Sequence, residues 1–120
     1  MKNKNLTAEI QADAIGFNVQ LSLNNIALGN IDNESKTIKI NSSLKNGENE
    51  LEVSYQRIDG STEILDIQLI ALEPKYLKPI VSIIVPIVSK KEGRIKQKFY
   101  ISDKQPEDFK PIMIVDGMEE

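Results

Sequence analysis

The chain has no cysteine, no histidine and no tryptophan in its 120 residues. Without cysteine there is no disulfide framework and no thiol nucleophile. Without histidine the commonest metal ligand and the commonest general base are both missing. Aromatic residues are scarce, three Phe and three Tyr, so a core must be built from Ile, Leu and Val. Long apolar runs are missing as well. The longest, Ile80 to Val88, contains Ser82 and Pro86 and falls far short of the ~20 residues that span a membrane as a helix. No transmembrane segment is expected. The first residues, Met-Lys-Asn-Lys-Asn, carry charge with no apolar stretch behind them, so no signal peptide is visible. The chain reads as cytoplasmic as encoded, or as secreted or periplasmic if a signal peptide has been removed.

A surplus of one charge is lacking too. The formal net charge is −3, which argues against a dedicated nucleic-acid binder. Residues 1–72 hold six basic and ten acidic side chains, and residues 73–120 hold nine and eight. That difference is too small to mark two domains, and the length fits one domain over 1–120. All ten Asn residues precede position 50, and with many Lys and Ile this composition points to a bacterial source.

What is present is strict alternation. Leu6, Ala8, Ile10, Ala12 and Ala14 alternate with polar residues, as do Phe17, Val19, Leu21 and Leu23. The pattern returns at Ile38 and Ile40, at Leu51, Val53 and Tyr55, at Leu65, Ile67, Leu69 and Ala71, and at Ile95, Phe99 and Ile101. Period two with one apolar side is the pattern of half-buried strands. Asn24-Asn25, Gly29-Asn30, Asn46-Gly47 and Asp59-Gly60 punctuate these runs with residues that tolerate positive φ. The junction at Ile15-Gly16 and the Asp59-Gly60 pair are expected to close hairpins. A short piece at Ile26–Leu28 and a loop over Ile31–Ser35 are expected between the second strand and the strand at Lys36–Asn41. The run Ile80–Val88 is apolar on both faces, as a covered strand is, and its Pro86 implies an edge position or a bulge. A last short strand covers Pro111–Val115. The prediction is an all-β antiparallel β-sandwich of eight or nine strands, either jelly-roll (galactose-binding-like) or immunoglobulin-like.

Part of the chain also carries a resemblance. A strand ending in L-N-N, a short I-A-L-G piece, a polar loop, a T-I-K-I strand and then L-K-N-G-E-N-E-L-E-V cover Leu21 to Val53. Together they resemble the sugar-binding, jelly-roll domain of β-galactosidase-type glycoside hydrolases and related galactose-binding-like modules. The resemblance implies a sandwich and a binding role, and does not by itself name a ligand. The stacking aromatics on which such modules rely are thin in this sequence.

Several clusters invite a functional reading. Lys90, Lys91, Arg94, Lys96 and Lys98 place five cations within nine residues, with Tyr100 on the same outward series. That face could dock an acidic partner, a phosphate-rich polymer or an anionic membrane; the plainer reading is an edge hairpin guarded by Lys. Tyr76 stands between Pro74 and Pro79, as an exposed anchor for a sugar or a protein, or as a loop residue capping the core. Glu48, Glu50 and Glu52 recur at a strand spacing of about 6.8 Å. This lies inside the separation used by inverting glycosidases, about 6.5–9.5 Å, and also describes a solvated strand face. Asp32, Asn33 and Glu34 supply oxygens of the kind Ca²⁺ takes, in what also reads as a plain loop. Ser42-Ser43 has no base to activate it. No catalytic, metal or cofactor set emerges. The reading is a non-catalytic binding module, most simply a small bacterial protein-interaction domain acting as a subunit or inhibitor of a larger partner. Carbohydrate binding is the alternative, and a glycosidase the distant one. The candidate binding residues are Tyr76, Lys96, Lys98 and Tyr100.

Overall fold

In a computed structural model, described at residues 7–40, 44, 47–73, 78–86, 91–101 and 112–115, the alternating runs become nine strands. They are β1 (Thr7–Asp13), β2 (Phe17–Leu23), β3 (Ile26–Asp32), β4 (Ser35–Ile40), β5 (Gly47–Arg57), β6 (Leu65–Glu73), β7 (Val81–Val85), β8 (Glu92–Ile101) and β9 (Ile112–Val115). No helix occurs among the described residues. The strands form a five-stranded sheet, ordered β4-β1-β6-β7-β9, and a four-stranded sheet, ordered β3-β2-β5-β8.

The alternation decides which side of each sheet is wet. Ala8, Ile10, Ala12, Leu65, Ile67, Leu69, Val81, Ile83 and Val85 line the inner face of the larger sheet. Phe17, Val19, Leu21, Leu23, Leu51, Val53, Tyr55, Ile95, Phe99 and Ile101 line the inner face of the smaller one. They meet in one continuous, mostly aliphatic core. Fully burying an aliphatic side chain of this size is worth about 1.5–3 kcal/mol, so this face holds the two sheets together.

Strand β4 lies beside β1, β5 beside β2, β3 on the far side of β2, and β8 on the far side of β5. Those neighbour relations are the ones that immunoglobulin-like sandwiches use for their central strands. Strands β6 and β7 are added between the fifth and eighth strands in sequence, and β6 takes the place next to β1.

Several sequence expectations need correcting. Ile15-Gly16 and Asp59-Gly60 turn the chain, but neither closes a hairpin: β1 and β2 lie in different sheets, and so do β5 and β6. At the first corner Gly16 is buried with φ +88°. Its N–H donates to Asn33 Oδ1 at 2.8 Å, and its carbonyl accepts from the Ile58 N–H at 2.9 Å. The Ala14 N–H donates to the Glu34 carbonyl at 3.0 Å. The corner is therefore held by segments distant in sequence, which carry the chain across the core. Strand β3 runs through Gly29 to Asp32, so Gly29-Asn30 is no break. The register shifts opposite Leu21 and Ser22, and Gly29 at φ +140° absorbs the irregularity as a bulge. Strand β7 is neither edge nor bulged, because it sits between β6 and β9 and ends at Val85, one residue before Pro86. The sandwich is not wholly antiparallel. Strand β9 pairs in parallel with β7, since the intervening β8 lies in the other sheet and the chain returns in the same direction.

Candidate functional site

The outer face of the four-stranded sheet gathers most of the polar residues singled out by sequence. It has two halves. In one, strands β5 and β8 run antiparallel with Glu50 opposite Lys98 and Glu52 opposite Lys96, while Glu48 stands opposite Tyr100. Two ion pairs form diagonally: Arg94 Nε to Glu52 Oε2 and Lys98 Nζ to Glu48 Oε2, each at 3.2 Å. The acidic series on β5 and the basic series on β8 are thus one cross-strand ladder of alternating charge. The basic cluster is not the unopposed patch that its sequence implies, nor do the glutamates stand alone. Lys91, at the start of the cluster, pairs with Asp59 across the β5–β6 corner. That pairing lowers the Asp59 pKa and raises that of Lys91, chiefly through their side-chain hydrogen bond.

Tyr100 ends the ladder and is 72% exposed. Tyr55, by contrast, is 3% exposed. Its ring meets Phe17 edge-on at a centroid distance of 6.1 Å, and Gly93 leaves room for its hydroxyl, because a Cβ there would lie 2.8 Å from that oxygen. The Arg57 guanidinium lies 4.7 Å above the Phe17 ring and donates to the carbonyls of Glu63 and Pro86, both at 2.7 Å. Tyr55 therefore belongs to the core and cannot share an exposed platform with Tyr100. Tyr76, Phe109, Ser42 and Ser43 lie outside the described residues.

The other half of the face was missed by sequence reasoning. The register sets Asp32, Asn18, Gln56 and Glu92 in one row across all four strands, and Asn30, Gln20, Ser54 and Arg94 in the next. These residues line an open groove of about 630 Å³. Four of the eight side chains are amides. The legible signal was that the outward residues of β2 are all uncharged, unlike those of β1, β4, β5 and β8.

The Asn residues of the Leu21–Val53 segment have a structural duty. Asn24 and Asn25, at φ 54° and 67°, form the two-residue turn between β2 and β3, where double positive φ matches strand twist. The Asn24 N–H donates to the Glu50 carbonyl at 2.8 Å, and Asn24 Oδ1 accepts from the Glu50 N–H at 2.9 Å. Asn24 Nδ2 donates to Oδ1 of Asn49 at 2.9 Å, and Asn49 Nδ2 reaches the Gly47 carbonyl at 3.2 Å. Asn49 is 1% exposed, so this buried amide and the turn satisfy one another. In the Asp32-Asn33-Glu34 segment, the Asn33 oxygen is committed to the Gly16 N–H and Asp32 joins the groove.

On the opposite side of the molecule, Asp13 of β1 stands directly across from Asp66 of β6. Asp13 accepts from the Ser35 hydroxyl at 3.0 Å. Asp66 Oδ1 is buried without a hydrogen-bond partner. Burial first, and the Asp13 charge second, raise the Asp66 pKa. Among the described residues no three His, Cys, Asp or Glu side chains are grouped to hold a metal ion, and no helix is long and apolar enough to cross a membrane. Compared with known proteins, the chain matches no family model, no curated protein and no solved structure.

Proposed function

We propose that this domain is a non-catalytic binding module that docks a protein partner through the β8 side of its four-stranded sheet, as a subunit or inhibitor of that partner in a bacterial setting. The observation that carries the reading is Tyr100, a large side chain 72% exposed at the end of a ladder of fixed charges. Tyr and Arg, both outward on β8, are among the residues enriched in protein-binding hot spots. The ladder orients an incoming partner by charge. The test is affinity capture by wild-type protein in parallel with Tyr100→Ala and with Lys96→Glu/Lys98→Glu, each checked for unchanged melting. A partner held by wild type and released by both variants supports the reading; equal capture by all three rejects it. Aryl glycosides, esters and phosphates should show no turnover, and turnover lost in Glu50→Gln would replace the reading with a glycosidase.

The amide-lined groove favours a second reading, carbohydrate binding. Asn and Gln side chains both donate and accept, which suits the hydroxyls of a neutral sugar, and the resemblance over Leu21–Val53 points the same way. Sugar sites usually add an aromatic stacking surface, and the groove's own ring, Tyr55, is buried. Titration of free mono- and oligosaccharides followed at Asn18 and Gln20 by NMR distinguishes this reading from the first.

A further inference from the structure

The four sheet edges are not alike. Strand β9 has four residues and β4 has six, and β3 carries the bulge at Gly29. Strand β8 has ten residues, pairs with β5 in unbroken register from Glu92 to Ile101, and contains no proline. Among the described residues no strand pairs with its other side. A long regular edge of this kind offers a row of unpaired backbone groups.

The direction of those groups follows from one hydrogen bond. The Arg57 N–H donates to the Lys91 carbonyl at 2.7 Å. In an antiparallel ladder, bonded pairs alternate with non-bonded ones. Odd-numbered residues of β8 therefore bond to β5, and the N–H and C=O groups of Arg94, Lys96, Lys98 and Tyr100 turn to the free edge. The side chains of the same four residues point outward. On this edge the Lys98 carbonyl accepts from Gln97 Nε2 at 2.7 Å.

We propose that β8 is an acceptor edge for an extended acidic segment of a protein partner, which adds as a fifth strand with carboxylates opposite Arg94, Lys96 and Lys98. This deepens the docking reading above and rests on it. The acidic character is set by charge. A second copy of β8 would bring Arg94, Lys96 and Lys98 against one another, and like charges across strands repel. A segment with Glu or Asp at alternate positions would repeat on the free side what Glu48, Glu50 and Glu52 already do on the β5 side. The three cations would then lie between two acidic strands. Apolar residues at the intervening positions would extend the inner face beside Ile95 and Phe99.

Strand β5 itself supplies the probe, a synthetic peptide of sequence GENELEVSYQR (residues 47–57), with a control in which its three Glu are Lys. Hydrogen exchange of the free protein should be fast at the Arg94, Lys96 and Lys98 amides. The Glu peptide should bind, slow exchange at those amides, and bind more weakly as salt rises. Lys96→Pro removes an edge donor without touching the β5 ladder, a position where an edge strand tolerates proline, and should abolish peptide binding. Lys96→Glu/Lys98→Glu keeps the backbone donors and should weaken binding at least about tenfold through charge alone. Any of four results overturns the proposal. They are slow exchange at these amides in the free protein, equal binding of the Lys peptide, no binding of the Glu peptide up to about 1 mM, and a dimer of this chain protected at the same amides. If one of these occurs while a folded partner is still released by Tyr100→Ala, docking stands and strand addition falls.

Discussion

The two outer faces of the sandwich treat their carboxylates in opposite ways. On the four-stranded sheet, Glu50 and Glu52 look across at Lys98 and Lys96. On the five-stranded sheet, Asp13 looks across at Asp66. The backbone geometry is the same, an antiparallel pair with side chains directly opposite, at a Cβ separation of about 4.5–5.5 Å. The depth of burial and the partner differ. Opposite charge gives a solvated ladder with diagonal cross-strand ion pairs. Like charge with partial burial gives one carboxylate that holds its proton more tightly. Charge pattern alone on a single strand therefore says little about reactivity; burial and the strand beside it decide.

Both faces depend on the shared core, so the largest effects should come from breaking it. Val53→Asp buries an unpaired charge between the sheets and should cost several kcal/mol or abolish folding, on the order of 4 kcal/mol or more. Urea or thermal unfolding measures it; a stable, cooperative variant would mean that the β5 register is inverted. Gly16→Ala attacks the corner that separates the two sheets. Its φ of +88° is unfavourable for any Cβ, and that Cβ would lie 2.9 Å from Glu63 Cγ and collide with the Ser61 hydroxyl. A loss of about 2 kcal/mol is expected. Unchanged stability would show that the Ser61–Glu63 segment yields freely.

That corner also shows where sequence reading stops. Alternation located the strands and their wet sides, because it is a property of each strand alone. The turn residues at Gly16, Asn24-Asn25 and Asp59-Gly60 located bends for the same reason, whereas Gly29-Asn30 marked a bulge inside β3. Whether a bend makes a hairpin or a crossing depends on what binds it. At Gly16 the binding groups are Asn33 and Ile58, which lie far along the chain. Asn24-Asn25 also marks a bend, yet it closes a true hairpin, with Leu23 paired to Ile26 across the turn. The candidate site was legible by halves. Lys96, Lys98 and Tyr100 do face outward, as the alternation of β8 requires. Their opposition by Glu48, Glu50 and Glu52 was hidden, because β5 and β8 are far apart in sequence, with β6 and β7 between them. The amide groove was hidden more deeply, since it takes one row from each of four strands.

A smaller effect should come from reversing one rung of the complementary ladder. Glu52→Lys removes the ion pair with Arg94 and sets a third cation opposite Lys96. The cost should be about 0.5–1 kcal/mol, because the pair is partly exposed and solvent screens it. It should shrink further at high salt, where exposed charges more than ~3 Å apart are screened. Chemical denaturation in urea at low and high NaCl measures both. A salt-independent loss would mean that Glu52 contributes through packing, and the ladder would no longer contrast with the other face through charge.

The smallest effect, and the one of opposite sign, belongs to the like-charged rung. Burial, aided by Asp13, raises the folded-state pKa of Asp66 above the ordinary carboxylate value. A carboxyl whose pKa is raised on folding binds its proton more tightly in the native state. It favours folding below its unfolded pKa, and this contribution is lost as pH rises through the folded value. At neutral pH the ionised Asp66 therefore opposes folding, and Asp66→Asn should raise the melting temperature. In acid, below about pH 3.8, wild-type Asp66 is protonated in both states and the advantage of Asn should disappear. The groups that share this part of the face bear on the sign. Ser35 donates to Asp13, not to Asp66, Gln11 and Gln68 carry no charge, and Lys36 lines the same hollow. If the Lys36 ammonium neutralised the pair, ionised Asp66 would be stabilised instead, and Asp66→Asn would lower the melting temperature at pH 7. Thermal melts of both proteins from pH 3 to 7 (at low salt, where the Asp13 contribution is strongest) separate these cases. A gain at pH 7 that fades towards acid leaves the contrast between the two faces intact, and a loss at pH 7 would show that both faces neutralise their carboxylates after all.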